Sequence, residues 1–345
     1  MTPVEKTSRR TRPAPSAPLS VAYVPQATLS DYLGAHGHPL GVIAFGNADV
    51  DTDCACPRIS LNLPVLGEAY WAEVWTSPTP VRTGREQGIR YAANDKVLFG
   101  AIEVAESDQI WLDRDTYRAV CRMLSFIKNQ GYPHLLRIWN YLPGINVRDN
   151  EIERYQLFCL GRHQAFFEHG CAASHDFPAS SALGSTVGSL WVYFLASRES
   201  GVQQENPRQM SAYHYPRQHG PRSPSFSRAM LARWESETHL YISGTASILG
   251  HLSLHAGDVR EQLRETLANF RALITHTARE ENVELVDAHL ALLKVYVRLR
   301  EDFETVREMV GESVADNVPV LYLQADMCRR ELLLEIEGVC IAPGA

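Results

Sequence analysis

The sequence predicts an α/β (α+β) protein of two similar domains, each a mixed sheet covered on one face by helices. Three observations predict this fold. The length of 345 residues is about right for two hydrophobic cores. Segments with strand and helix patterns follow one another in the same order twice, as an internal duplication would produce. The composition, 45% hydrophobic and 21% charged, is typical of a globular protein.

The repeated layout is strand, helix, strand, and in each half another helix and a final strand follow. In the first half, residues 88–92, 97–104 and 135–141 have strand composition and surround a helical segment. In the second half, residues 239–246 and 289–298 surround another. These segments are rich in Val, Ile, Leu and Tyr, which favour strands. Such a pattern predicts a sheet with helices on one face.

Both long helices carry start signals, and the first also has a clear stop. Asp115 can cap the first helix, whose apolar residues recur at helical spacing until Gly131 ends it. Asp258 can cap the second, and Glu261 follows at the spacing of a capping box. The second helix then carries one apolar stripe, made of Val259, Leu263, Leu267, Phe270 and Ile274.

The predicted domain boundaries follow from composition. Residues 1–19 hold four prolines and an Arg-Arg pair with no apolar stretch after it, so we expect a disordered N-terminal segment. Residues 20–175 are predicted to form the N-terminal domain. Residues 176–345 form the C-terminal domain, which carries most of the active site. The Pro-, Ser- and Gly-containing stretch 175–185 is interpreted as the linker. A ligand site between the halves is expected.

Charge and composition exclude several classes of protein. A net charge of −7 and a pI near 6.0 argue against a generally basic nucleic-acid-binding protein. No apolar run is long enough to span a membrane. The seven cysteines have no disulfide-framework spacing, so free thiols in a reducing cytoplasm are expected. Cys54-Ala-Cys56 is too short to fix a zinc ion, and no metal is predicted.

Three segments of the second half resemble the RidA imine-deaminase superfamily. They are 241–246 (Tyr-Ile-Ser-Gly-Thr-Ala), 257–270 and 334–338 (Leu-Glu-Ile-Glu-Gly). In that superfamily they form an active-site strand, the main helix and a closing strand with a pocket glutamate, which the resemblance places at Glu335. The superfamily also has a carboxylate-binding arginine upstream, near the position of Val320 here. Its absence argues against simple imine deamination.

A longer resemblance, from about residue 40 to the end, is to the chorismatases. The segments that carry it are Trp139–Asn146, Phe158–Arg162, Glu205–Pro207, His214–Pro216 with Gly220–Arg222, Ile242–His251 and Lys294–Arg298. The resemblance implies a monomer with a pair of RidA-like domains that binds chorismate without metal or cofactor and releases pyruvate. Subtypes of the family form a dihydroxycyclohexadiene acid, 3-hydroxybenzoate, or both 3- and 4-hydroxybenzoate.

Two positions distinguish these subtypes. The hydrolytic type carries alanine where this chain has Gly244, and also where it has Cys328. Both differences predict an enzyme that forms 3-hydroxybenzoate, with or without 4-hydroxybenzoate. Hydrolysis to the dihydroxycyclohexadiene acid stays open as an alternative. So do a RidA-like imine deaminase and a non-catalytic protein that binds an aromatic acid.

The chemistry implied by the resemblance requires a proton donor. Cleavage begins with protonation of the enolpyruvyl methylene, which needs a carboxylic acid that is still protonated near neutral pH. Burial raises a carboxyl pKa and can supply such a group. The strand period places Leu333, Glu335 and Glu337 on one face. On the residues alone, a glutamate facing water at a sheet edge is the favoured interpretation of Glu335; the resemblance reverses this and assigns it as the general acid.

Cys328 is the second predicted catalytic residue. It precedes Glu335 closely in the chain, and a thiol near the substrate could donate or relay a proton. The alternative is a small apolar core thiol. Gly244 is predicted to act through the space that its missing side chain leaves in the pocket floor.

Chorismate carries two carboxylates, which arginines and hydroxyl donors bind well. Arg162, Arg228 and Tyr215 are the predicted substrate-binding residues. Residues 206–234 contain five arginines and no acidic residue, which suits an anionic ligand, although we expect about three of the five to be solvated or ion-paired. His251 and His255 have the spacing of helical metal ligands, but they precede the helix cap, so no metal site is predicted.

Overall fold

The computed structural model of the chain describes residues 17–46, 54–67, 71–105, 112–149, 151–171, 177–185 and 187–344. Its first sheet was not predicted from the sequence. This sheet consists of β1 (Ser20–Pro25), β2 (His38–Phe45), β3 (Arg58–Leu61) and β4 (Trp71–Ser77), in the order β1-β4-β2-β3, with helix α1 (Leu29–Ala35) between β1 and β2.

The second sheet has six strands and two helices that cover it. They are β5 (Arg82–Glu86), β6 (Ile89–Ala93), β7 (Val97–Val104), α2 (Leu112–Asn129), β8 (His134–Pro143), α3 (Arg154–Glu168), β11 (Ala179–Ser185) and β12 (Leu190–Ser197). A short ribbon, β9 (Arg148–Asp149) with β10 (Ile152–Glu153), precedes α3. The strand order is β5-β6-β7-β12-β8-β11.

The third sheet repeats this arrangement. Its elements are β13 (Val202–Gln204), β14 (Ala229–Arg233), β15 (Glu237–Thr245), α4 (Val259–Glu280), β18 (Leu290–Val297), α5 (Phe303–Ser313), β19 (Val320–Gln324) and β20 (Leu334–Pro343). The ribbon β16 (Ile248–Leu249) with β17 (Leu252–Ser253) precedes α4. The strand order is β13-β14-β15-β20-β18-β19.

The second and third sheets therefore have the same topology. Each has one parallel pair at one edge, β8 with β11 and β18 with β19, and the other strand pairs of these two sheets are antiparallel. Parallel strands require a crossover, which α3 and α5 provide. The predicted α/β fold, two mixed sheets of duplicated topology with helices on one face, is confirmed.

One of the two predicted helix caps is correct. Asp258 Oδ1 accepts hydrogen bonds from the backbone N–H groups of Arg260 and Glu261, at 3.0 and 3.1 Å. Asp115 does not cap α2, because the helix already includes Leu112 and Asp115 lies in its first turn. The apolar stripe continues to Leu112, which is buried, so packing extends the helix beyond the polar residue. Gly131, at φ +82°, follows the end of this helix as predicted.

The boundaries predicted from composition need two corrections. Residues 1–16 lie outside the described residues, but Ala17 and Leu19 are buried, and Pro18 O accepts a hydrogen bond from Asn94 Nδ2 at 2.6 Å. The expected disorder is therefore wrong for residues 17–19. The expected linker is wrong for residues 179–185, which form β11.

Small residues explain the misinterpreted linker. Ala, Ser and Gly in β11 let this strand lie between β8 and the facing third sheet, where most of it is buried. Because β11 and β12 both belong to the second sheet, the change to the third sheet falls between Ser197 and Val202 rather than at 175/176.

The inner faces of the three sheets enclose one apolar core, called the shared core below. Trp75 of β4 contacts Trp139 of β8 and Tyr241 of β15, with ring centroids 5.6 and 6.4 Å apart. The opposite faces of the second and third sheets pack against their own helices. Each helix-covered sheet is thus buried on both faces, which explains its long apolar strands.

Four charged side chains cross the shared core and form the buried charge cluster: Glu73, Arg137, Lys294 and Glu337. Lys294 Nζ lies 2.6 Å from Glu73 Oε2 and 3.0 Å from Glu337 Oε1. Arg137 Nη2 lies 2.7 Å from Glu337 Oε2. The cluster has two charges of each sign and joins all three sheets. Removing one partner would leave a buried charge uncompensated.

Cys54 and Cys56 form a disulfide, and their Cα atoms are 5.4 Å apart, within disulfide reach. The expectation of free thiols is therefore wrong for this pair. Cys121, Cys159, Cys328 and Cys340 are free thiols.

Two helical glycines predict opposite effects on stability. A Cβ on Gly161 of α3 would lie 1.9 Å from the backbone O of Asp113 in α2, whereas one on Gly311 of α5 would meet nothing within 4 Å. Gly161→Ala should therefore lower the free energy of unfolding by about 2–3 kcal/mol, because the helices must separate. Gly311→Ala should raise it by about 0.5–1 kcal/mol through helix propensity. Urea unfolding of both variants checks the prediction; equal effects would contradict the tight α2–α3 contact.

Candidate functional site

A pocket opens between the two duplicated halves, where β11 lies against β15. Both halves line it. Its residues include Tyr155, Phe158, Cys159 and Arg162 of α3, Ser180, Ser181 and Ala182 of β11, Tyr215, Arg222, Ser225 and Arg228 of the segment before β14, Gly244 of β15, and Cys328, Arg329 and Glu335 near β20. The structure thus brings all six residues predicted for the site into one pocket.

Glu335 lies on β20, where the strand period turns it toward the pocket while Leu334 and Ile336 pack on the helix side. Its side chain is buried, which raises its pKa to about 8, and the nearby charge of Glu337 acts in the same direction. Arg137 and Arg228 oppose this shift. Among the described residues, none donates a hydrogen bond to its carboxyl group. Glu335 is therefore a protonated acid at neutral pH, free to act on a ligand.

Glu337, two residues along the same face, is in the opposite state. Its carboxylate accepts hydrogen bonds from Arg137 (2.7 Å), Trp139 Nε1 (3.0 Å), Lys294 (3.0 Å) and the Ser181 hydroxyl. Burial acts to raise its pKa, but the charges of Lys294 and Arg137 outweigh burial and hold the pKa below its usual value. One strand thus carries an ionised and a protonated glutamate, a pattern typical of acid–base sites.

Two buried arginines line the pocket without an ion-pair partner among the described residues. Arg162 donates to Ser225 O at 3.1 and 3.3 Å and to Asn140 Oδ1 at 3.3 Å. Burial lowers its pKa to about 10, so it stays charged at neutral pH. Arg228 Nη2 donates to Tyr215 Oη and to Met210 O, both at 2.7 Å, and its Nε is buried without a hydrogen-bond partner. An anionic ligand would compensate both charges.

The five arginines of residues 206–234 separate into two groups. Arg208 and Arg233 form ion pairs with Glu265 and Glu281, at 2.5 and 2.8 Å. Arg217 is absent from the pocket lining, whereas Arg222 and Arg228 line it. The sequence could not separate these groups, because the acidic partners lie on α4 and at its C-terminal end, far along the chain.

Arg329 and Tyr155 are among the pocket residues that the sequence analysis missed. Arg329 donates to His251 O at 2.9 Å, lies over the Tyr215 ring at 5.2 Å, and has a buried Nη2 without a hydrogen-bond partner. Tyr155 of α3 lies near Cys328 and Glu335, and its pKa is raised well above the usual value, mainly by burial. The one signal for Arg329 was its position next to the predicted Cys328.

Cys328 is partly exposed within the pocket. Enclosure by the surrounding protein raises the pKa of its thiol to about 12, and the charge of Glu335 adds to the shift. The group is therefore a neutral thiol, which can donate a proton but is a poor nucleophile.

Gly244 leaves room for the acid. The pairing of β15 with β20 shifts register between Ile242 and Thr245, so Gly244 lies in a bulge at the pocket floor. A Cβ here would lie 1.8 Å from Glu335 Oε1 and 3.1 Å from Ser181 Oγ. An alanine would force the Glu335 carboxyl to move.

Other residues singled out in the sequence have different positions. Asn140 is buried beside the pocket, where Nδ2 donates to Ser180 Oγ at 3.0 Å and to Ser181 O at 2.7 Å. Tyr141 lies in the shared core, its hydroxyl 2.8 Å from that of Tyr296. His251 Nδ1 lies 3.1 Å from His219 Nε2. No metal-binding group of three or more His, Cys, Asp or Glu occurs among the described residues, and no described helix could span a membrane.

The raised pKa of Glu335 predicts a stability change with pH. Between the ordinary carboxyl pKa and about 8, the folded chain holds a proton that the unfolded chain has lost, so this group destabilises the fold as pH rises. Glu335→Gln should remove this effect and raise the free energy of unfolding by up to ~3 kcal/mol at pH 7.

Urea unfolding at about pH 5 and about pH 7.5 measures this difference, which should grow with pH. Glu312→Gln, the same change at an exposed position of α5, is the control and should show no such growth. A difference between Glu335→Gln and the wild type that stays constant with pH would show that Glu335 is ionised.

Comparisons with known proteins agree with one another. Residues 73–196 match the family described as chorismatase FkbO/Hyg5-like, N-terminal. A chorismatase from Streptomyces hygroscopicus is 36% identical over 307 residues, which cover 87% of this chain and 88% of that protein. A 3-hydroxybenzoate synthase from the same organism is 36% identical over 313 residues, covering 87% and 91%. The crystal structure of a chorismatase matches with a TM-score of 0.84 at 34% identity, covering 93% of this chain and 98% of that one.

Proposed function

Because the chain belongs to the chorismatase family, we propose that it converts chorismate to 3-hydroxybenzoate, with or without 4-hydroxybenzoate, and pyruvate. The observation that carries the proposal is the protonated carboxyl of Glu335, which faces a pocket with two arginines that lack ion-pair partners. Chorismate has two carboxylates and an acid-labile enol ether, so its chemistry fits both features.

The substrate carboxylates are bound by Arg162 and Arg228, and Tyr215 contributes a hydroxyl. Arg228 is oriented by Tyr215, whose ring it also contacts at 5.6 Å, so this pair forms one pre-arranged anion site. Arg222 and Arg329 line the same wall and add positive charge. Carboxylate binding orients the enolpyruvyl group, and orientation lowers the barrier to proton transfer.

Glu335 then protonates the methylene carbon of the enol ether and becomes a carboxylate. A ring hydroxyl adds to the resulting oxocarbenium carbon and gives a cyclic ketal. Loss of a ring C–H proton then makes the ring aromatic and breaks the bond between the ring and one ketal oxygen, which takes up the proton that the hydroxyl released. The remaining hemiketal splits into the hydroxybenzoate and pyruvate. Chorismate has the combined atoms of hydroxybenzoate and pyruvate, so this route consumes no water. Capture by water instead would add one water and give the dihydroxycyclohexadiene acid. The proton lost on aromatisation restores Glu335.

Gly244 and Cys328 favour the route that forms the benzoate. Without a Cβ on Gly244, the Glu335 carboxyl lies over the bulge and occupies space that water would otherwise take. The neutral Cys328 thiol lies on the same side of the pocket and can return a proton to the leaving enolpyruvyl group or the ring intermediate.

One chain is sufficient for this function, so we expect a monomer. The pocket lining supports this expectation, because both duplicated halves of one chain contribute to it. We also expect the enzyme to act in the cytoplasm, because Cys328 and Cys340 are free thiols, although Cys54 and Cys56 are paired.

The decisive variant is Glu335→Gln, which keeps the shape of the acid but cannot give up a proton. The wild type should release pyruvate and a hydroxybenzoate from chorismate, and the variant should lose about 10²–10⁴-fold in kcat. Chromatography with mass detection measures both, and Glu312→Gln is the control. Activity of the wild type should fall as pH rises through about 8, because only protonated Glu335 is active.

Each other outcome has a distinct meaning. The dihydroxycyclohexadiene acid as product would keep the enzyme class and refute the roles of Gly244 and Cys328. Unchanged chorismate would refute the proposal and favour a deaminase or a binding protein. An active Glu335→Gln variant would exclude this residue as the acid.

The double substitution Gly244→Ala with Cys328→Ala should change the product. The added methyl group displaces the Glu335 carboxyl, so water gains access and the dihydroxycyclohexadiene acid should become a major product. The ratio of this acid to hydroxybenzoate is the measurement. Cys340→Ala, at a buried thiol outside the pocket lining, is the control and should keep the product of the wild type. An unchanged ratio in the double variant would contradict the proposed basis of product choice.

A further inference from the structure

We propose that Ser181 is a positioning residue, whose hydroxyl fixes the backbone of Gly244 and thereby the place of the Glu335 carboxyl. This inference rests on the proposed function for its meaning in catalysis. Ser181 lies on β11 in the first duplicated half, whereas Gly244 and Glu335 belong to the second. The contact between the halves therefore sets the geometry of the acid.

The hydrogen bonds of Ser181 leave it one orientation. Its Oγ accepts from the backbone N–H of Gly244 at 2.9 Å and from Arg137 Nη2 at 2.5 Å, and it is bonded to Glu337 Oε2. A backbone N–H and a guanidinium can only donate, and the ionised Glu337 can only accept. The single hydroxyl proton must therefore point to Glu337, and both lone pairs are occupied. Every hydrogen-bonding position of the hydroxyl is thus used.

This hydroxyl is anchored by the buried charge cluster. Arg137 donates to both Ser181 and Glu337, and Glu337 is in turn held by Lys294. None of these side chains can turn without leaving a buried charge unpaired. The hydrogen bonds to Arg137 and Glu337 therefore hold the Ser181 hydroxyl in one position relative to the second and third sheets.

Gly244 lies between Ser181 and the Glu335 carboxyl and contacts both. It lies in the β15 bulge, where the ladder to β20 is interrupted, and its N–H is bonded to Ser181 instead. Glu335 Oε1 lies where a side chain on residue 244 would begin. A shift of the bulge would therefore move the surface against which the acid rests.

The groups around Glu335 determine the direction in which its pKa should change in a Ser181 variant. The titratable and charged groups around it are Glu337 on its own strand, Arg137 of β8, Tyr296 as its register partner on β18, Arg228 before β14, Tyr155 of α3, and Cys328. In Ser181→Ala, the Gly244 N–H loses its acceptor, while the Glu335 carboxyl lies against the same residue. A hydrogen bond from this N–H would favour ionised Glu335.

Ser181→Ala should therefore lower kcat at least about ten-fold, change KM less, and move the alkaline limb of the pH profile down by about one unit. The second readout is carbon-13 NMR titration of labelled Glu335, assigned by its loss in Glu335→Gln. This titration needs no turnover, so it tests the role of Ser181 even in an inactive protein. If the wild type left chorismate unchanged, that result would refute the proposed function but not the role of Ser181.

Two further variants make the test specific. Ser197→Ala removes another buried hydroxyl of the second sheet, which donates to Glu199 O outside the pocket lining. This variant should leave the pH profile of activity and the NMR titration of Glu335 unchanged. Ser181→Cys keeps a side chain of similar volume but forms only weak hydrogen bonds. It should shift the alkaline limb of the activity profile and the NMR titration of Glu335 in the same direction as Ser181→Ala. It replaces the alanine variant if the alanine variant does not fold. If the Glu335 titration in the folded Ser181 variant matches that of the wild type, the inference is wrong.

Discussion

The buried charge cluster is the constraint on which the rest of this structure depends. Glu73, Arg137, Lys294 and Glu337 lie in the shared core, where each charge would be strongly destabilising alone. Their geometry is satisfied only when the first, second and third sheets stand in one arrangement, because each sheet supplies at least one member. Apolar packing alone would allow small slides between the sheets, whereas these contacts do not. The pocket between the second and third sheets therefore has a fixed geometry.

The cluster also explains how one strand can carry two glutamates in different states. Arg137, Trp139, Lys294 and Ser181 all donate to Glu337. Glu335 is left with burial and a neighbouring negative charge, which outweigh the opposing charges of Arg137 and Arg228. Both conditions keep a proton on Glu335. Acidity at the site is therefore a consequence of how donors are shared along β20, and the same donors hold the sheets together. Stability and chemistry are linked through Glu337.

The sequence predicted what depends on local pattern. Strand period placed Glu335 and Glu337 on one face, apolar spacing found α2 and α4, and the strand that contains Gly244 was recognised by resemblance. The first sheet was missed because β1 pairs with β4 across much of that segment, and such pairing leaves no local signal. The strand at 179–185 was taken for a linker because small polar residues normally indicate a loop. Tyr155 and Arg329 reach the pocket only through tertiary packing.

The duplication has produced one acid site rather than two, and the topology shows why. β12 occupies in the second sheet the place that β20 occupies in the third, yet its sequence, Leu-Trp-Val-Tyr-Phe-Leu-Ala-Ser, contains no acidic residue. Its aromatic side chains fill the shared core, where Tyr193 stacks on Trp139 at 4.7 Å. The first half instead contributes Arg162 and Ser181 to the pocket that the second half completes. On the proposed function, the second half supplies the acid and the first half supplies groups that bind and orient, a division open to a fused pair because each half can change independently.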